Sequence, residues 1–174
     1  ALAALSRFRL LCATNRGPYG VESLNHEIER YLRARGLVGA AQWYRGRPVL
    51  VTANDYNLRL FNGDLGITQA DPEADGRFRV FFRTAEGGLR RLAPARLPEH
   101  ETAYATTVHK SQGSEADEIL LILPDQLTPV MTRELVYTGL TRARSRVEIW
   151  GNAEVFAAAV SRCLTRSSGL RDAL

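Results

Sequence analysis

Cysteine is scarce in this chain of 174 residues: there are two, Cys12 and Cys163, far apart and each within an apolar run. A disulfide-stabilised scaffold uses several cysteines at short spacing, so that class of protein is excluded. A chain of this length can bury roughly 70% of its unfolded surface without disulfides or metal. The two cysteines and His26 also lack metal-ligand spacing. We therefore expect a compact protein of a reducing, cytoplasmic compartment, with no metal site.

Long hydrophobic runs are missing as well. The longest aliphatic stretches, residues 119–123 and 155–160, are far shorter than the roughly 20 residues that cross a bilayer. The first residues lack an initiator Met and the basic and apolar regions of a signal peptide. We expect no membrane partner and interpret the chain as a piece of a longer protein.

Lysine is almost absent. Of the 23 Lys and Arg residues only Lys110 is lysine, and it lies in Val108–Glu115. The lysine ammonium is a compact point charge, whereas the arginine guanidinium is a planar fork. A lysine at this one position therefore suggests a local chemical requirement; the alternative is neutral drift of the sequence. The formal net charge of +4 is modest and is compatible with an acidic partner.

Two elements of an ATPase are also absent from the sequence. It has no G-x-x-x-x-G-K-[ST] loop, since His109 precedes the single lysine. It has no acidic pair at the end of an apolar strand either, because Asp117 and Glu118 open a predicted strand, where a Mg²⁺-holding acid would be misplaced. The chain alone is predicted not to hydrolyse ATP.

The hydrophobic pattern predicts two kinds of structure. Strands and helices alternate at both ends of the chain, with strands at 8–14, 103–108, 118–123 and 147–151. Short β-type runs separated by Asn, Asp and Gly turns fill the middle, at 48–53, 65–68, 78–83 and 88–92. We predict an α/β domain with a mostly parallel sheet, formed by residues 1–46 and 99–174, and a small five-stranded β-barrel, residues 47–98, inserted in it.

Three helices are predicted from caps and apolar spacing. The first runs from Ser23, a possible N-cap, to Gly36. The second is capped by Thr132 and ends at Arg142 and Arg144. The third is capped by Asn152, carries an apolar stripe as far as Cys163 and Leu164, and precedes a frayed end at 167–174.

Polar groups on loops at strand ends are the candidate ligand-binding residues, because ligands of open α/β sheets bind at strand ends. They are Arg16, the loop 109–115 and Arg142. Arg142 ends the second predicted helix, so its guanidinium can reach a facing cleft and bind phosphate with two hydrogen bonds, as an arginine finger does. The alternative is that Arg142 caps the helix carbonyls.

Two segments resemble conserved motifs of superfamily 1 DNA helicases. Thr107–Glu115 resembles motif V, and Arg133–Arg144 resembles motif VI. Further segments narrow the resemblance to the RecD family, the alpha subunits of exodeoxyribonuclease V, from about Phe8 to Leu170: Leu11–Val21, Leu24–Asn25, Phe61–Gly66 and Arg96–Glu101.

The resemblance implies a RecA-like, P-loop NTPase-type second motor domain (2A), with residues 47–98 as an inserted SH3-like barrel (2B). It implies part of an ATP-dependent 5′ to 3′ DNA helicase that unwinds double-stranded DNA ends for recombinational repair and DNA degradation. ATP and Mg²⁺ would be held mainly by a first motor domain upstream of Ala1. RecB-like and RecC-like subunits would be partners, with nuclease chemistry on another chain.

The same motifs imply which residues bind ATP. The resemblance makes Arg142 the catalytic arginine that reaches the γ-phosphate and places Glu115 near the ribose. It also places Gln112 and Gly113 of motif V on the ATP-binding side. Arg16 lies in the motif IV region; the alternative is a loop arginine in solvent.

Roles for the DNA side follow in part from motif V. Thr107, His109, Lys110 and Ser111 would hold phosphates of single-stranded DNA; for His109 the alternative is a buried structural histidine. In the barrel, Asn54 and Tyr56 would lie over the DNA, with Tyr56 or Phe61 stacking on a base. The alternative there is an ordinary hairpin turn with Phe61 in the core. Trp43 and Trp150 are predicted to pack.

Two other functions remain open. The first is a stand-alone RecD-like helicase without RecB-like and RecC-like partners. The second is a non-enzymatic adaptor whose barrel binds a protein or nucleic acid on an inert α/β scaffold. An adaptor would be indifferent to Arg142→Ala, whereas a motor domain would lose ATP turnover.

Overall fold

The computed structural model describes residues 2–84 and 86–163, which form two sheets. A four-stranded parallel sheet has the order β7-β1-β8-β9, and a five-stranded antiparallel sheet has the order β5-β4-β3-β2-β6. The elements in chain order are α1 (Leu2–Leu5), β1 (Phe8–Cys12), α2 (Val21–Ala34), β2 (Pro48–Val51), β3 (Leu65–Ala70), β4 (Phe78–Arg83), β5 (Leu89–Leu92), β6 (His100–Thr102), β7 (Ala105–Thr107), β8 (Ala116–Ile122), α3 (Arg133–Leu140), β9 (Ala143–Trp150) and α4 (Ala153–Ser161).

The parallel sheet lies between helices, as the alternation of strands and helices predicts. Strand β1 sends Leu10 and Cys12 to one face, where they pack with Val21 of α2. Its Leu11 points to the other face and joins a core formed with α3 and α4, through residues such as Leu135 and Val155. Because helices cover both faces of the sheet at this point, Leu10, Leu11 and Cys12 are all buried, which explains the apolar second half of β1.

Helix α2 begins earlier than predicted. Its N-cap is Gly20, and Ser23 lies inside the first turn. A Cβ on Gly20 would come within 2.6 Å of the backbone of Arg16, so the loop after β1 turns tightly at this glycine and starts the helix there. The predicted end is confirmed: Gly36 has φ +67°, and the Leu37 amide donates to the Leu32 carbonyl at 2.9 Å.

Helix α3 starts as predicted, with the Thr132 side chain accepting a hydrogen bond from the Leu135 amide. It ends at Leu140 with Thr141 as its C-cap, so Arg142 directly follows the helix, whereas the prediction that Arg144 also lies at its end is wrong because Arg144 belongs to β9. Strand β9 begins at Ala143, four residues before the predicted start. The reason is long-range: the Ala116 amide of β8 donates to the Arg142 carbonyl at 2.9 Å, which starts the parallel pairing of β8 with β9.

Helix α4 has the predicted cap, in which Asn152 Oδ1 accepts from the Glu154 amide at 2.7 Å. The helix ends at Ser161, and Cys163 is exposed, so the predicted apolar stripe does not extend to that cysteine. Leu164 and the predicted frayed end, 167–174, lie outside the described residues.

The antiparallel sheet contains the four predicted β-type runs and a fifth strand, β6, at residues 100–102. This strand lies beyond residue 98, the predicted end of the inserted unit, because it pairs with β2 of that unit. Strand β6 pairs with β2, with Leu50 opposite Glu101. The core of this unit is apolar and includes Val49, Val51, Leu60, Val80, Phe82 and Leu92. Two residues, Ala103 and Tyr104, separate β6 from β7, so the two sheets are joined by a very short connection.

A polar network lies at this junction. The Tyr44 hydroxyl donates to Glu29 Oε1 of α2 at 2.7 Å and lies 3.1 Å from the Tyr104 hydroxyl. Arg47 donates through Nε and Nη2 to Thr102 Oγ1 of β6. Burial and the hydrogen bonds with Tyr104 and Glu29 raise the pKa of Tyr44, so it stays protonated. The network ties α2 to the antiparallel sheet.

Candidate nucleotide and nucleic-acid sites

The segment between β7 and β8 is a series of tight turns. The Lys110 amide donates to Thr107 Oγ1 at 3.1 Å, and Ser111 Oγ donates to the Val108 carbonyl at 2.7 Å. Gly113 has φ +81°, a conformation that other residues rarely adopt. These local bonds fix the backbone of residues 107–115, which we call the motif V loop.

The predicted DNA-binding residues of this loop differ in their exposure to solvent. Ser111 is 2% exposed and its hydroxyl is bonded internally, so the predicted phosphate contact from its side chain is wrong in this conformation. His109 is exposed, so the alternative of a buried structural histidine is wrong. Thr107 is half-buried and Gln112 is exposed. Thr107, His109 and Lys110 remain available on the surface of the loop.

Lys110 has a partner that the sequence did not reveal. Its Nζ lies 2.8 and 2.9 Å from the two carboxylate oxygens of Glu101 on β6. The single lysine of the chain therefore connects the motif V loop to the antiparallel sheet.

A groove runs between the motif V loop and α3. It encloses about 400 Å³ and is lined by residues of both elements. His109 and Gln112 lie on the loop side, and Thr132 and Thr138 lie on the side of α3. The groove places polar side chains beside the exposed face of the loop.

Arg142 and Glu115 lie next to each other at the amino end of the parallel sheet. The bond from the Ala116 amide to the Arg142 carbonyl holds the residues before β8 and β9 together. Arg142 Nε donates to the Thr138 carbonyl at 3.3 Å, as the helix-capping alternative predicts. Among the described residues the terminal nitrogens of Arg142 meet no hydrogen-bond acceptor, and the side chain is only partly buried. Capping through Nε leaves the guanidinium fork free for an anion.

Glu115 also has a partner in this structure. Its Oε2 accepts from Arg144 Nε at 3.0 Å, and Arg144 Nη1 lies 3.8 Å from Asp117 Oδ1. Because β9 begins at Ala143, Arg144 is a strand residue that faces the start of β8. A ribose hydroxyl at Glu115 would have to share the carboxylate with Arg144.

Arg16 is not part of this group. It follows the carboxyl end of β1, whereas Arg142 precedes the amino end of β9, and the two strands run parallel within the sheet. The two arginines therefore lie at opposite edges of the sheet, and the structure does not bring these two candidate residues together. Arg16 is almost fully exposed and lies 3.7 Å from Glu22, which fits the alternative of a loop arginine in solvent.

The loop between β2 and β3 carries an exposed aromatic pair. Tyr56 is 75% exposed and Phe61 is 46% exposed, and their rings meet edge to face with centroids 6.1 Å apart. Phe61 is therefore not the core residue that the hairpin alternative predicts. Asn54 Oδ1 accepts from the Asn62 amide at 2.8 Å, which makes Asn54 a brace of this loop.

Arg90 on β5 supports the same loop, and sequence reasoning missed it. Its Nη1 donates to the Leu58 carbonyl at 2.7 Å and also contacts the Arg59 carbonyl. Arg59 has φ +49°, an uncommon conformation for a residue other than glycine. No local signal in the sequence predicts a contact between residues about 30 positions apart.

Both tryptophans are predicted to pack, and the structure confirms this for only one of them. Trp43 packs against the core of the antiparallel sheet, with the Arg47 guanidinium 4.5 Å from its ring, as predicted. Trp150 is exposed, and its Nε1 donates to Glu148 Oε1 at 2.6 Å, so the prediction is wrong for this residue.

Residues 2–84 and 86–163 contain no group of three or more His, Cys, Asp or Glu residues that could hold a metal ion. Over the same residues, no helix has the length and apolar character needed to cross a bilayer.

The chain is similar in sequence to known helicase proteins. The UvrD-like helicase C-terminal domain family matches residues 102–149. The RecBCD enzyme subunit RecD of Mycolicibacterium smegmatis is 45% identical over 175 residues, which cover 100% of this chain and 30% of that protein. The RecD subunit of Haemophilus influenzae is 38% identical over 93% of this chain and 24% of its own length. The ATP-dependent RecD2 DNA helicase of Deinococcus radiodurans is 36% identical over 88% of this chain and 21% of that protein.

Solved helicase structures share the fold. The Bacteroides Pif1 helicase in complex with ADP-AlF3 and single-stranded DNA superposes with a TM-score of 0.56 at 19% identity, over 97% of this chain and 44% of that one. The Candida albicans Pif1 helicase gives a TM-score of 0.51 at 16% identity, over 87% and 46% of the two chains. The chain thus spans less than a third of the RecD relatives and less than half of the Pif1 structures.

Proposed function

The chain belongs to the RecD family, and on this premise we propose that it is the second motor domain (2A) of an ATP-dependent 5′ to 3′ DNA helicase subunit of a RecBCD-type enzyme. The antiparallel sheet would be the SH3-like insertion, 2B, of that motor. The full enzyme would unwind double-stranded DNA ends for recombinational repair and DNA degradation.

One observation carries the proposal. The hydrogen bond from Ala116 to Arg142 brings the end of the motif V loop and the turn after α3 to the same edge of the sheet. Glu115 and the open fork of Arg142 thereby form a pair of groups suited to a nucleotide: a carboxylate that accepts from a ribose hydroxyl and a guanidinium that binds phosphate.

ATP would bind between this edge and a first motor domain that supplies the phosphate loop and the Mg²⁺ site. Arg142 would stabilise the charge that develops on the γ-phosphate, as arginine fingers do. Gln112 and Gly113 belong to the loop that leads to this edge and would face the nucleotide. The exposed position of Arg16 at the opposite edge gives no support to a contact with the same γ-phosphate.

DNA would follow the exposed side of the motif V loop. Thr107, His109 and Lys110 offer a hydroxyl, an imidazole and an ammonium group to backbone phosphates, contacts that do not depend on sequence. Asn54 braces the loop that presents Tyr56 and Phe61, and the two rings would stack on bases. Contacts of this kind suit a motor that moves along any sequence.

The proposed partners are RecB-like and RecC-like subunits and single- and double-stranded DNA ends, in the cytoplasm. The RecD relatives are named as RecBCD subunits, which supports this assembly. Nuclease chemistry would belong to another subunit.

ATP hydrolysis stimulated by single-stranded DNA tests the proposal, measured with the full-length protein in complex with its partner subunits. We expect Arg142→Ala to lower turnover by about 10³- to 10⁵-fold while DNA binding is retained. Arg146→Ala is the matched control, because Arg146 is an exposed arginine on β9 whose partner is Glu148 at 3.4 Å. Its turnover should equal that of the wild type.

Unchanged turnover in Arg142→Ala would mean that the arginine only caps α3 through Thr138 and that the adaptor function fits better. A loss of both turnover and DNA binding would show that the variant has disturbed the fold rather than the chemistry.

A stand-alone helicase is the second candidate, because the Deinococcus radiodurans relative, 36% identical, is named as an ATP-dependent DNA helicase and not as a RecBCD subunit. The two candidates differ in their need for partners. A stand-alone motor would unwind DNA as a purified single chain, whereas a RecBCD-type subunit would be found in complex with the other two subunits.

A further inference from the structure

Glu101 and Lys110 form an ion pair between two elements that the proposed function assigns to DNA binding. Glu101 is the middle residue of β6 on the antiparallel sheet, and Lys110 lies in the motif V loop. Both carboxylate oxygens lie within 2.9 Å of Nζ, and the two side chains are 33% and 32% exposed. The pair is therefore at the surface, where a phosphate can reach it.

A carboxylate that contacts an ammonium with both oxygens resembles a phosphate contact. Each presents two oxygens with shared negative charge at about 2.8 Å from the nitrogen. One ammonium can pair closely with the carboxylate or turn toward a phosphate of the DNA backbone. The four-carbon stem of lysine allows this exchange, because it is flexible and carries a rotatable charge.

The backbone at Lys110 is fixed independently of this pair. The Lys110 amide donates to Thr107 Oγ1, and the Ser111 amide and hydroxyl bond to Thr107 and Val108 carbonyls. Removing the Glu101 carboxylate would therefore free the ammonium without releasing the loop.

We propose that Glu101 is an affinity-setting residue of the DNA site: it holds Lys110 in the DNA-free state and competes with the DNA phosphate for the same ammonium. This inference rests on the proposed function, since it requires that Lys110 contacts DNA. The cost of breaking the pair lowers the affinity of the motor for single-stranded DNA. A motor that steps along a strand has to release each phosphate, so a competing carboxylate favours rapid exchange.

The test is the binding of a fluorescent oligo-dT to the full-length protein by anisotropy, for the wild type, Glu101→Gln, Lys110→Ala and the double variant. We expect Glu101→Gln to bind about two- to fivefold more tightly, the range that a partly exposed ion pair supports. Lys110→Ala should bind more weakly, and Glu101→Gln should have no further effect in the Lys110→Ala background. Removing Lys110 should also reduce the slope of log affinity against log salt by about 0.7, the loss of one single-strand phosphate contact.

Glu73→Gln is the matched control. Glu73 is an exposed carboxylate between β3 and β4 that pairs with Arg91, so the variant removes the same charge from the same unit. An equal gain in affinity for Glu73→Gln would show a general charge effect and overturn the role of Glu101. Circular dichroism confirms folding, and Glu101→Ala gives a second variant with the same expected sign.

The outcomes distinguish a failure of this inference from a failure of the proposed function. If Lys110→Ala leaves affinity and salt dependence unchanged, the proposed DNA contact itself fails. If Lys110→Ala weakens binding but Glu101→Gln leaves it unchanged or weakens it, Lys110 contacts DNA but Glu101 does not compete for it. The ion pair then only positions the loop, and the inference is overturned.

Discussion

Asn25 and Ala105 exchange two hydrogen bonds in the interior of the protein. The Ala105 amide donates to Asn25 Oδ1 at 2.8 Å, and Asn25 Nδ2 donates to the Ala105 carbonyl at 3.1 Å. The same Nδ2 also donates to the Thr102 carbonyl at 2.9 Å. A side chain of α2 thus satisfies the backbone of β7, the edge strand that leads into the motif V loop.

Asn25→Ala should therefore destabilise the chain by about 2 to 4 kcal/mol, because it leaves buried backbone groups at Ala105 and Thr102 without partners. Urea unfolding followed by circular dichroism measures the change. Asn57→Ala at an exposed position is the control and should change the free energy of unfolding by less than about 0.5 kcal/mol. A loss below 1 kcal/mol for Asn25→Ala would mean that water replaces the amide and that the anchor is weak.

Tyr56 should contribute to single-strand binding through stacking. Tyr56→Ala is expected to weaken oligo-dT binding to the full-length protein by roughly 5- to 150-fold, equivalent to about 1 to 3 kcal/mol per stacked base. Tyr56→Phe should keep most of the affinity, since the ring and not the hydroxyl stacks. Tyr31→Ala on α2 removes another exposed ring and should have no effect. If Tyr56→Ala binds as the wild type does, the loop is an ordinary hairpin turn.

Packing in the antiparallel sheet explains why the segment Phe61–Gly66 ends in a glycine. Gly66 lies on β3, where a Cβ would come within 2.7 Å of Phe82 Cε1 and 2.8 Å of Val80 Cγ1. Gly66→Ala should overpack the antiparallel core and cost about 1 to 3 kcal/mol in the free energy of unfolding. Gly39→Ala is the matched control, because a Cβ there meets nothing within 4 Å. Equal stability of the two variants would show that the core around Phe82 adjusts without strain.

Periodicity and caps predicted the elements whose signals are local. The strands of the parallel sheet, the caps Thr132 and Asn152 and the stop at Gly36 all depend on residues within one or two turns. The start of β9 was missed because pairing with β8 decides it, and that pairing joins Ala116 to Ala143 across the sheet.

The candidate site was predictable in part for the same reason. The motif V loop and Arg142 are recognisable as sequence motifs, but their partners are not. Glu101 and Arg144 are brought to Lys110 and Glu115 by sheet register. The burial of Ser111 follows from turn hydrogen bonds that no spacing rule describes. The separation of Arg16 from Arg142 follows from strand direction, which composition and spacing do not reveal.

The two cysteines should differ sharply in reactivity. Burial raises the pKa of the Cys12 thiol from 9.0 to about 12, whereas Cys163 is exposed. The thiolate is the reactive form, so a maleimide at pH 8 should modify Cys163 and leave Cys12 intact in the folded chain. Mass spectrometry of the labelled protein would show one adduct, and Cys163→Ser would show none until urea is added. Rapid labelling of the folded Cys163→Ser variant would contradict the burial of Cys12.

The same thiol should make stability fall at high pH. Above pH 9 the unfolded chain loses the Cys12 proton, while the folded chain keeps it up to about pH 12. The unfolded state then binds fewer protons than the folded state, so the free energy of unfolding decreases with rising pH, by at most about 1.4 kcal/mol per pH unit for one group. Cys12→Ala removes the contribution of this thiol to the pH dependence of stability but keeps the other titrating groups. Urea unfolding of both proteins between pH 8 and 10.5 should therefore give a steeper decline for the wild type, and parallel declines would mean that the thiol ionises equally in both states.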